Sequence, residues 1–222
     1  SGGPSRFRTR PTLKQGGDFF LDLSTPSSPE AGVLRALHAL FAERAEAVAA
    51  EVHFFDRPSQ VGPFLVEVLR RRNITRVAAV ASSLVREVGL ESVLKEAGIE
   101  ISFEGSPSEV AQAGAGISEV DLAIAESGTL AQDVTELRRR LVSTLPPVHI
   151  ALVRAANIVE TLSEALERAG RVEGGIPGYL AFITGPSRTG DIEGVLTIGV
   201  HGPGELLIVF VGDSGPDGGR PG

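Results

Sequence analysis

The chain has 222 residues, a formal net charge of -7 and 42% hydrophobic residues, which is enough for one sizeable domain with a buried core. The acidic balance argues against a nucleic-acid partner, and the absence of cysteine excludes disulfides, zinc–thiolate sites and cysteine-ligated iron–sulfur clusters within the chain. There is no run of 18 apolar residues and no apolar signal-peptide core at the N-terminus, so we expect a cytoplasmic protein without a membrane span.

Apolar segments of strand length alternate with amphipathic segments along most of the chain. A first helix is predicted to begin after Ser28, a favourable N-cap that precedes Pro29, and His38 is assigned to its solvated side. The other predicted elements are, in chain order, strand 52–55, helix 64–72, strand 76–81, helix 90–97, strand 99–103, helix 108–113, strand 120–125, strand 149–153, helix 158–169 capped by Asn157, strand 179–184 and strand 206–211. The Gly–Thr–Leu run after strand 120–125 predicts a local antiparallel return.

This alternation predicts an α/β fold with three layers, in which a largely parallel sheet is flanked by helices. We expect residues 28–212 to form a single domain, with a flexible N-terminal arm at 1–27 and a flexible tail at 213–222. The basic runs at 70–72 and 138–140 adjoin potential helices. We interpret both as cations stabilised at helix C-termini.

The densest group of polar residues lies between 183 and 204, where Gly and Pro separate two apolar runs. Ligand sites in α/β proteins are often built this way, although a solvated turn has the same composition. Arg188 is suited to grip a carboxylate or phosphate, and His201 is suited to carry a proton near neutral pH. The candidate ligand-binding residues in this stretch are Gly185, Ser187, Arg188, Thr189, Asp191 and Glu193.

A second group of candidate residues follows the predicted strand 120–125. Ligands sit outside the carboxyl ends of strands in open α/β sheets, so Glu126 is a candidate nucleophile or base. Ser127 and Thr129 offer hydroxyl groups to a ligand, and Gly128 permits a tight turn or a close approach. The alternative is a hairpin turn in which the Glu126 carboxylate accepts hydrogen bonds from backbone amides.

Metal-ligand spacing is weak in this sequence. The four histidines include no pair four residues apart, and His201 with Asp191 and Glu193 gives only a loose pattern. We therefore predict that the chain holds no metal and no cofactor.

Together, the two polar groups resemble the LUD-domain family of lactate-utilisation proteins, also called LutC. The resemblance is carried by residues 183–193, by Gly199-Val200-His201-Gly202-Pro203 and by residues 121–130. This chain has Gly190 where the family pattern usually has Ala, and Ser127 where it usually has Thr.

The resemblance implies a fold like that of the ribose-5-phosphate isomerase, glucosamine-6-phosphate deaminase and CoA-transferase superfamily. It also implies a role with iron–sulfur and oxidoreductase partner proteins in the oxidation of L-lactate to pyruvate. Because this chain has no cysteine, any iron–sulfur cluster would belong to a partner. Three functions stay open: an accessory protein that binds a small anionic ligand, an enzyme that uses Glu126 as class I CoA-transferases use a glutamate, and a scaffold for redox partners.

Overall fold

The computed structural model describes residues 29–171, 177–190, 196–198 and 202–212. The helices are α1 (Pro29–Ala47), α2 (Pro58–Arg71), α3 (Ser83–Glu87), α4 (Leu90–Glu96), α5 (Pro107–Ala111), α6 (Leu137–Thr144) and α7 (Leu162–Gly170). The strands are β1 (Glu51–Phe55), β2 (Arg76–Ala79), β3 (Glu100–Ser102), β4 (Ala115–Val120), β5 (Leu122–Ile124), β6 (Thr129–Asp133), β7 (Val148–Arg154), β8 (Ile158–Val159), β9 (Leu180–Ile183), β10 (Arg188–Gly190), β11 (Leu196–Ile198) and β12 (Glu205–Val211).

A six-stranded parallel sheet forms the centre of the molecule, with the strand order β1-β12-β7-β4-β2-β3. Its middle strands, β7 and β12, are almost continuously apolar and buried, because helices or strands cover both faces of a parallel sheet. The predicted α/β class with a largely parallel sheet is therefore confirmed. Strand β1 begins one residue before the predicted strand 52–55, and β12 begins one residue before the predicted strand 206–211. Both strands end where they were predicted to end.

The two faces of this sheet are covered differently. Helices α2, α3 and α4 cover one face, where Leu65 and Leu84 pack with Ile150 and Val209. The other face carries α1, the pair α5 and α6, and a second sheet with the order β8-β5-β6-β9. The β5–β6 hairpin in that second sheet is the predicted antiparallel return. The third layer therefore contains strands as well as helices.

The predicted strand 120–125 is divided between the two sheets. Strand β4 ends at Val120, and β5 begins at Leu122 in the smaller sheet. Asp121 stands at the break, where its carboxylate accepts a hydrogen bond from the Asp133 amide at 2.6 Å and pairs with Arg139 at 2.9 Å. Because a charged side chain is costly to bury inside the large sheet, the chain leaves that sheet at Asp121 and continues in the smaller one.

The predicted helix 158–169 is also corrected at its start. Ile158 and Val159 form β8 and pair with β5, since β-branched residues fit a buried sheet better than a helix. The helix α7 begins after Thr161, whose hydroxyl accepts a hydrogen bond from the Glu164 amide, so Thr161 is the N-cap in place of Asn157.

Two side-chain assignments on helices were wrong. His38 is 5% exposed, because Leu34, His38, Phe41 and Ala45 follow helical spacing on the sheet-facing side of α1. Arg138 to Arg140 lie in the first half of α6 rather than at a helix C-terminus, whereas Arg70 and Arg71 do occupy the last turn of α2. Arg138 and Arg139 lie there because they bind carbonyl groups at the ends of the strands below.

The predicted arm at 1–27 and tail at 213–222 lie outside the described residues, so the proposed domain limits stay a prediction. None of the helices described has the length and apolar character needed to cross a membrane.

Between the two sheets lies a buried polar group formed by His149, Ser118 and Gln132. The Gln132 amide nitrogen donates to the Ser118 hydroxyl at 3.0 Å, and that hydroxyl lies 2.9 Å from His149 Nε2. Since the hydroxyl oxygen already accepts a hydrogen bond from Gln132, the hydroxyl can donate a hydrogen bond to Nε2 of a neutral ring. His149 is 1% exposed, and burial lowers its pKa from 6.5 to about 4.

The lowered pKa of His149 predicts a loss of stability in mild acid. Between the two pKa values the unfolded chain holds a proton on His149 that the folded chain does not, so the free energy of unfolding falls as the pH falls through this window. From pH 7 to pH 5, the wild-type chain should lose about 2 kcal/mol more than the His149→Gln variant. Urea unfolding of both proteins at the two pH values measures this difference. Because His38 and the carboxylates are common to both proteins, equal losses would contradict a neutral His149.

Candidate functional site

The described residues at the start of the 183–204 group lie beside the group that follows β5. Strand β6 pairs with β9 in antiparallel orientation, which sets Leu130 opposite Ile183. At the end of this pairing, the hydroxyl oxygens of Thr129 and Thr184 are 2.8 Å apart. The loop 126–129 and the loop 184–187 are therefore neighbours, although more than fifty residues separate them in sequence.

Two glycines place these loops against the C-terminal end of α1. Gly128 has a φ of +62°, and a Cβ at this residue would collide with the Ala45 backbone nitrogen and lie 2.8 Å from the Arg44 Cβ. Gly185 has a φ of +77°, and a Cβ there would lie 2.9 Å from the Val48 carbonyl oxygen. Both positions require a positive φ and a backbone without a side chain, so glycine is the residue that fits. Each of the two loops therefore rests on the end of the same helix.

The Glu126 carboxylate is exposed and has a structural contact. Its Oε1 accepts a hydrogen bond from the Leu162 amide at 2.8 Å, and the Glu126 amide donates to the Glu160 carbonyl at 3.0 Å. The carboxylate thereby satisfies one of the free amides at the start of α7, where a negative charge is favourable. This contact is the one expected from the alternative interpretation of Glu126, and it leaves Oε2 without a described partner.

One backbone amide in each loop has no acceptor among the described residues. Neither the Ser127 amide nor the Gly185 amide donates a hydrogen bond to any described residue. By contrast, the Ser187 amide is occupied, since it donates to the Pro203 carbonyl at 2.8 Å. Gly202 lies near Ser187 as well, since a Cβ added to that glycine would be 3.4 Å from the Ser187 Cβ. The Gly202-Pro203 part of the motif therefore contacts the loop 184–187.

Several predicted site residues are described only in part or not at all. Arg188 and Thr189 form β10 with β11, opposite Ile198 and Thr197, but their side chains are outside the description. Asp191, Glu193 and His201 lie outside the described residues. The weak metal pattern of those three therefore stays a sequence-based hypothesis, and the described ranges contain no group of three His, Asp or Glu side chains that could hold a metal ion.

The loops 126–129 and 184–187, called the motif loops below, do not lie at the carboxyl ends of the large sheet, where ligands usually bind in α/β folds. Pro203 and Gly204 immediately precede β12, and the Gly204 amide bonds to the carbonyl of Pro147, the residue that precedes β7. The loop 184–187 thus lies near the amino ends of these parallel strands. Glu126 follows β5, which belongs to the smaller sheet, so the rule for carboxyl ends of the large sheet does not apply to it.

Sequence reasoning missed a cation beside the motif loops and a polar group at the opposite edge. Arg44 is half-exposed at the end of α1 and contacts Gly128, a long-range neighbour that no local pattern reveals. At the carboxyl ends of β2 and β3, Arg138 donates to the Ala79 carbonyl at 3.3 Å and to the Ser102 carbonyl at 2.8 Å. Arg139 pairs with Asp121. The guanidinium groups of Arg138 and Arg139 thus bind groups at the ends of strands, and they stabilise this edge of the sheet.

The LUD domain family model matches residues 38–211, and the chain belongs to this family. Lactate utilization protein C of Shouchella clausii (strain KSM-K16) is 32% identical over 133 residues, covering 57% of this chain and 58% of the relative. Lactate utilization protein C of Geobacillus sp. (strain WCH70) is 39% identical over 105 residues, covering 46% of this chain and 44% of the relative. The chain thus spans about half the length of the curated relatives it matches.

A solved structure shares the fold. The crystal structure of a DUF162 family protein from Deinococcus radiodurans superposes with a TM-score of 0.59 and 24% sequence identity, covering 81% of this chain and 98% of that chain. At this identity the likeness establishes the fold alone.

Replacing Gly128 tests the contact that positions the two loops. Gly128→Ala should lower the free energy of unfolding by about 3 kcal/mol, because a left-handed backbone and a collision with α1 act together. Gly98→Ala is the matched control, since Gly98 has a φ of +75° but no atom within 4 Å of an added Cβ, and it should cost about 1 kcal/mol. Urea unfolding measures both losses. If both variants lost the same free energy of unfolding, α1 would have to move away from an added Cβ at Gly128 at little cost.

Proposed function

We propose that this chain is the small-anion-binding part of a lactate-utilisation protein, with its ligand held between the loops 126–129 and 184–187. The family membership and relatives named Lactate utilization protein C support the pathway. The observation that carries the site is the contact between Thr129 and Thr184, which brings the loops 126–129 and 184–187 together beside two amides that have no partner among the described residues.

The chemistry of these loops suits a carboxylate such as lactate or pyruvate. The Ser127 and Gly185 amides, which have no acceptor in the described part of the chain, can donate to carboxylate oxygens, and Arg188 follows the second loop directly. The end of α1 presents carbonyl oxygens, which repel an anion, so the ligand needs a cation close by. Arg188 and the neighbouring Arg44 are the arginines that we propose for this role.

We extend this proposal to the reaction sequence in which the protein takes part. The chain would act with iron–sulfur and oxidoreductase partner proteins in the oxidation of L-lactate to pyruvate. Because the chain contains no cysteine, a partner would hold the iron–sulfur cluster, and this chain would bind the organic acid.

Removing the Arg188 guanidinium tests ligand binding directly. Arg188→Ala should weaken the binding of L-lactate or pyruvate by about tenfold or more, because a charge-assisted hydrogen bond is lost. Isothermal titration with L-lactate, pyruvate and inorganic phosphate measures the effect. Arg71→Ala is the control, since Arg71 is exposed on α2 and pairs with Glu67, and its binding should equal that of the wild type.

The outcomes of this titration separate the first function from the scaffold. Wild-type affinity in Arg188→Ala would remove Arg188 from the site. If the wild-type chain binds none of the three anions and Arg188→Ala still captures the redox partners, the chain is a scaffold whose motifs hold loops in shape.

An enzymatic role for Glu126 is the second candidate, favoured by its exposed carboxylate, in which one oxygen has no described partner. Glu126→Gln keeps an oxygen that can accept from the Leu162 amide, whereas Glu126→Ala removes it. If Glu126 only caps α7, Gln should retain nearly full stability, and Ala should lose about 1 kcal/mol in urea unfolding.

Catalysis by Glu126 would give a different pattern in these same variants. Turnover of acyl-CoA or sugar-phosphate substrates should then be lost in Glu126→Gln, although that variant folds like the wild type. Full turnover in Glu126→Gln would defeat the catalytic assignment.

A further inference from the structure

We propose that a cavity at the carboxyl ends of β1 and β12 is a separate binding site for an organic monoacid that carries a hydroxyl group and an apolar body. The cavity has a volume of about 310 Å³, at the lower end of the range for small-molecule sites. It therefore has room for an acid larger than the three-carbon lactate. This inference does not rest on the function proposed above.

The position of the cavity is typical of ligand sites in parallel sheets. Residues that directly follow three strands line it, namely Asp56 after β1, Ala155 after β7 and Gly212 after β12. Backbone hydrogen bonds continue beyond the strand ends here, from the Gly212 amide to Phe55 at 2.7 Å and from the Ala155 amide to Val211 at 2.8 Å. The rim of the cavity is thus held by the sheet itself, at the edge where such folds bind ligands.

Aromatic rings form the apolar wall of the cavity. Phe54 and Phe210 are stacked with their centroids 4.8 Å apart and their planes at 9°, and Leu34 of α1 adds an aliphatic side chain. A wall of this kind favours a ligand with an aromatic or branched aliphatic body, because that body is removed from water on binding.

The buried His38 supplies a hydrogen-bond acceptor in this wall. Its Nε2 lies 2.9 Å from the Ala155 carbonyl oxygen, which can only accept, so Nε2 carries the proton. Burial lowers the pKa of His38, which keeps the ring neutral at pH 7 and leaves a lone pair on Nδ1. Nδ1 makes no hydrogen bond with any described residue. A ligand hydroxyl can therefore donate to it.

Two charged side chains at the rim of the cavity, Arg35 and Asp56, indicate the net charge of the ligand. Arg35 is half-buried and makes no ion pair or hydrogen bond with any described residue, and it precedes His38 by three residues on the same side of α1. Side chains at this spacing are about 5–6 Å apart at Cβ, so one 2-hydroxy acid can reach both. Asp56 lies on the rim as a second charge with no ion pair among the described residues, and it opposes phosphates and dicarboxylates. The expected ligand is therefore a monoanion.

This cavity and the motif loops use opposite ends of α1. Arg35 and Ala45 are ten residues apart on that helix, or about 15 Å along its axis. Ligands at the two sites can consequently be distinguished by variants at each end.

Two probes on the full chain test the proposal without any substitution. 3-Phenyllactate has the carboxylate, the hydroxyl and an apolar body, whereas 3-phenylpropionate lacks the hydroxyl. Isothermal titration should show 3-phenyllactate binding about fivefold more tightly than 3-phenylpropionate, the value of one hydrogen bond. If 3-phenyllactate binds no more tightly than 3-phenylpropionate, or does not bind, the proposal is overturned.

Substitutions then locate the bound acid. Arg35→Gln should weaken 3-phenyllactate binding about tenfold, and His38→Phe should abolish the preference for 3-phenyllactate over 3-phenylpropionate. Arg71→Gln on α2 is the control for a lost surface cation and should bind as the wild type does. If His38→Phe fails to fold, Arg35→Gln decides, because the Arg35 side chain makes no hydrogen bond or ion pair with any described residue.

Unchanged affinity in Arg35→Gln would refute this site. Arg188→Ala should leave 3-phenyllactate binding intact, so that a failure of the motif-loop site and a failure of this cavity are seen separately. A loss of 3-phenyllactate binding in Arg188→Ala with none in Arg35→Gln would assign the acid to the motif loops instead.

Discussion

The close approach of Gly128 to the backbone of α1 is the contact on which the arrangement of the two sheets depends. A side chain at this residue would collide with the Ala45 nitrogen. The hairpin between β5 and β6 can therefore pack on the helix only if residue 128 is glycine. Once the hairpin is seated, β6 aligns with β9, and Thr129 meets Thr184. One backbone contact thus brings together chain segments that are far apart in sequence.

Helix α1 connects this contact to the rest of the molecule. Its apolar stripe packs on β12 through Phe41 and Ala45, which fixes the height and rotation of the helix. Because the helix cannot slide, its C-terminal end supports the motif loops, and His38 is held against Phe54 and Phe210 at the cavity. The positions of the residues in both proposed sites therefore depend on the packing of the same helix.

Local patterns predicted the elements whose neighbours are uniform along their length. Strand β12 is buried on both sides and reads as an unbroken apolar run, so its end was predictable. The run at 120–125 is apolar except for Asp121, and the chain changes sheets at that residue because Arg139 and the Asp133 amide hold its carboxylate outside the large sheet. His38 follows the helical spacing of the apolar residues of α1, but the Ala155 carbonyl that accepts its hydrogen bond, and so allows a polar ring on the buried side, lies 117 residues away.

The sequence by itself determined the α/β class, the antiparallel return at Gly128 and the membership of two polar stretches in one family pattern. It could do so because hydrophobic periodicity and glycine placement are local properties of a chain. Only the tertiary structure decided which sheet each strand joined, which end of α1 each group of residues met, and whether a charged or polar side chain was buried. Those outcomes depend on contacts between residues far apart in the chain, whose energies no local pattern contains.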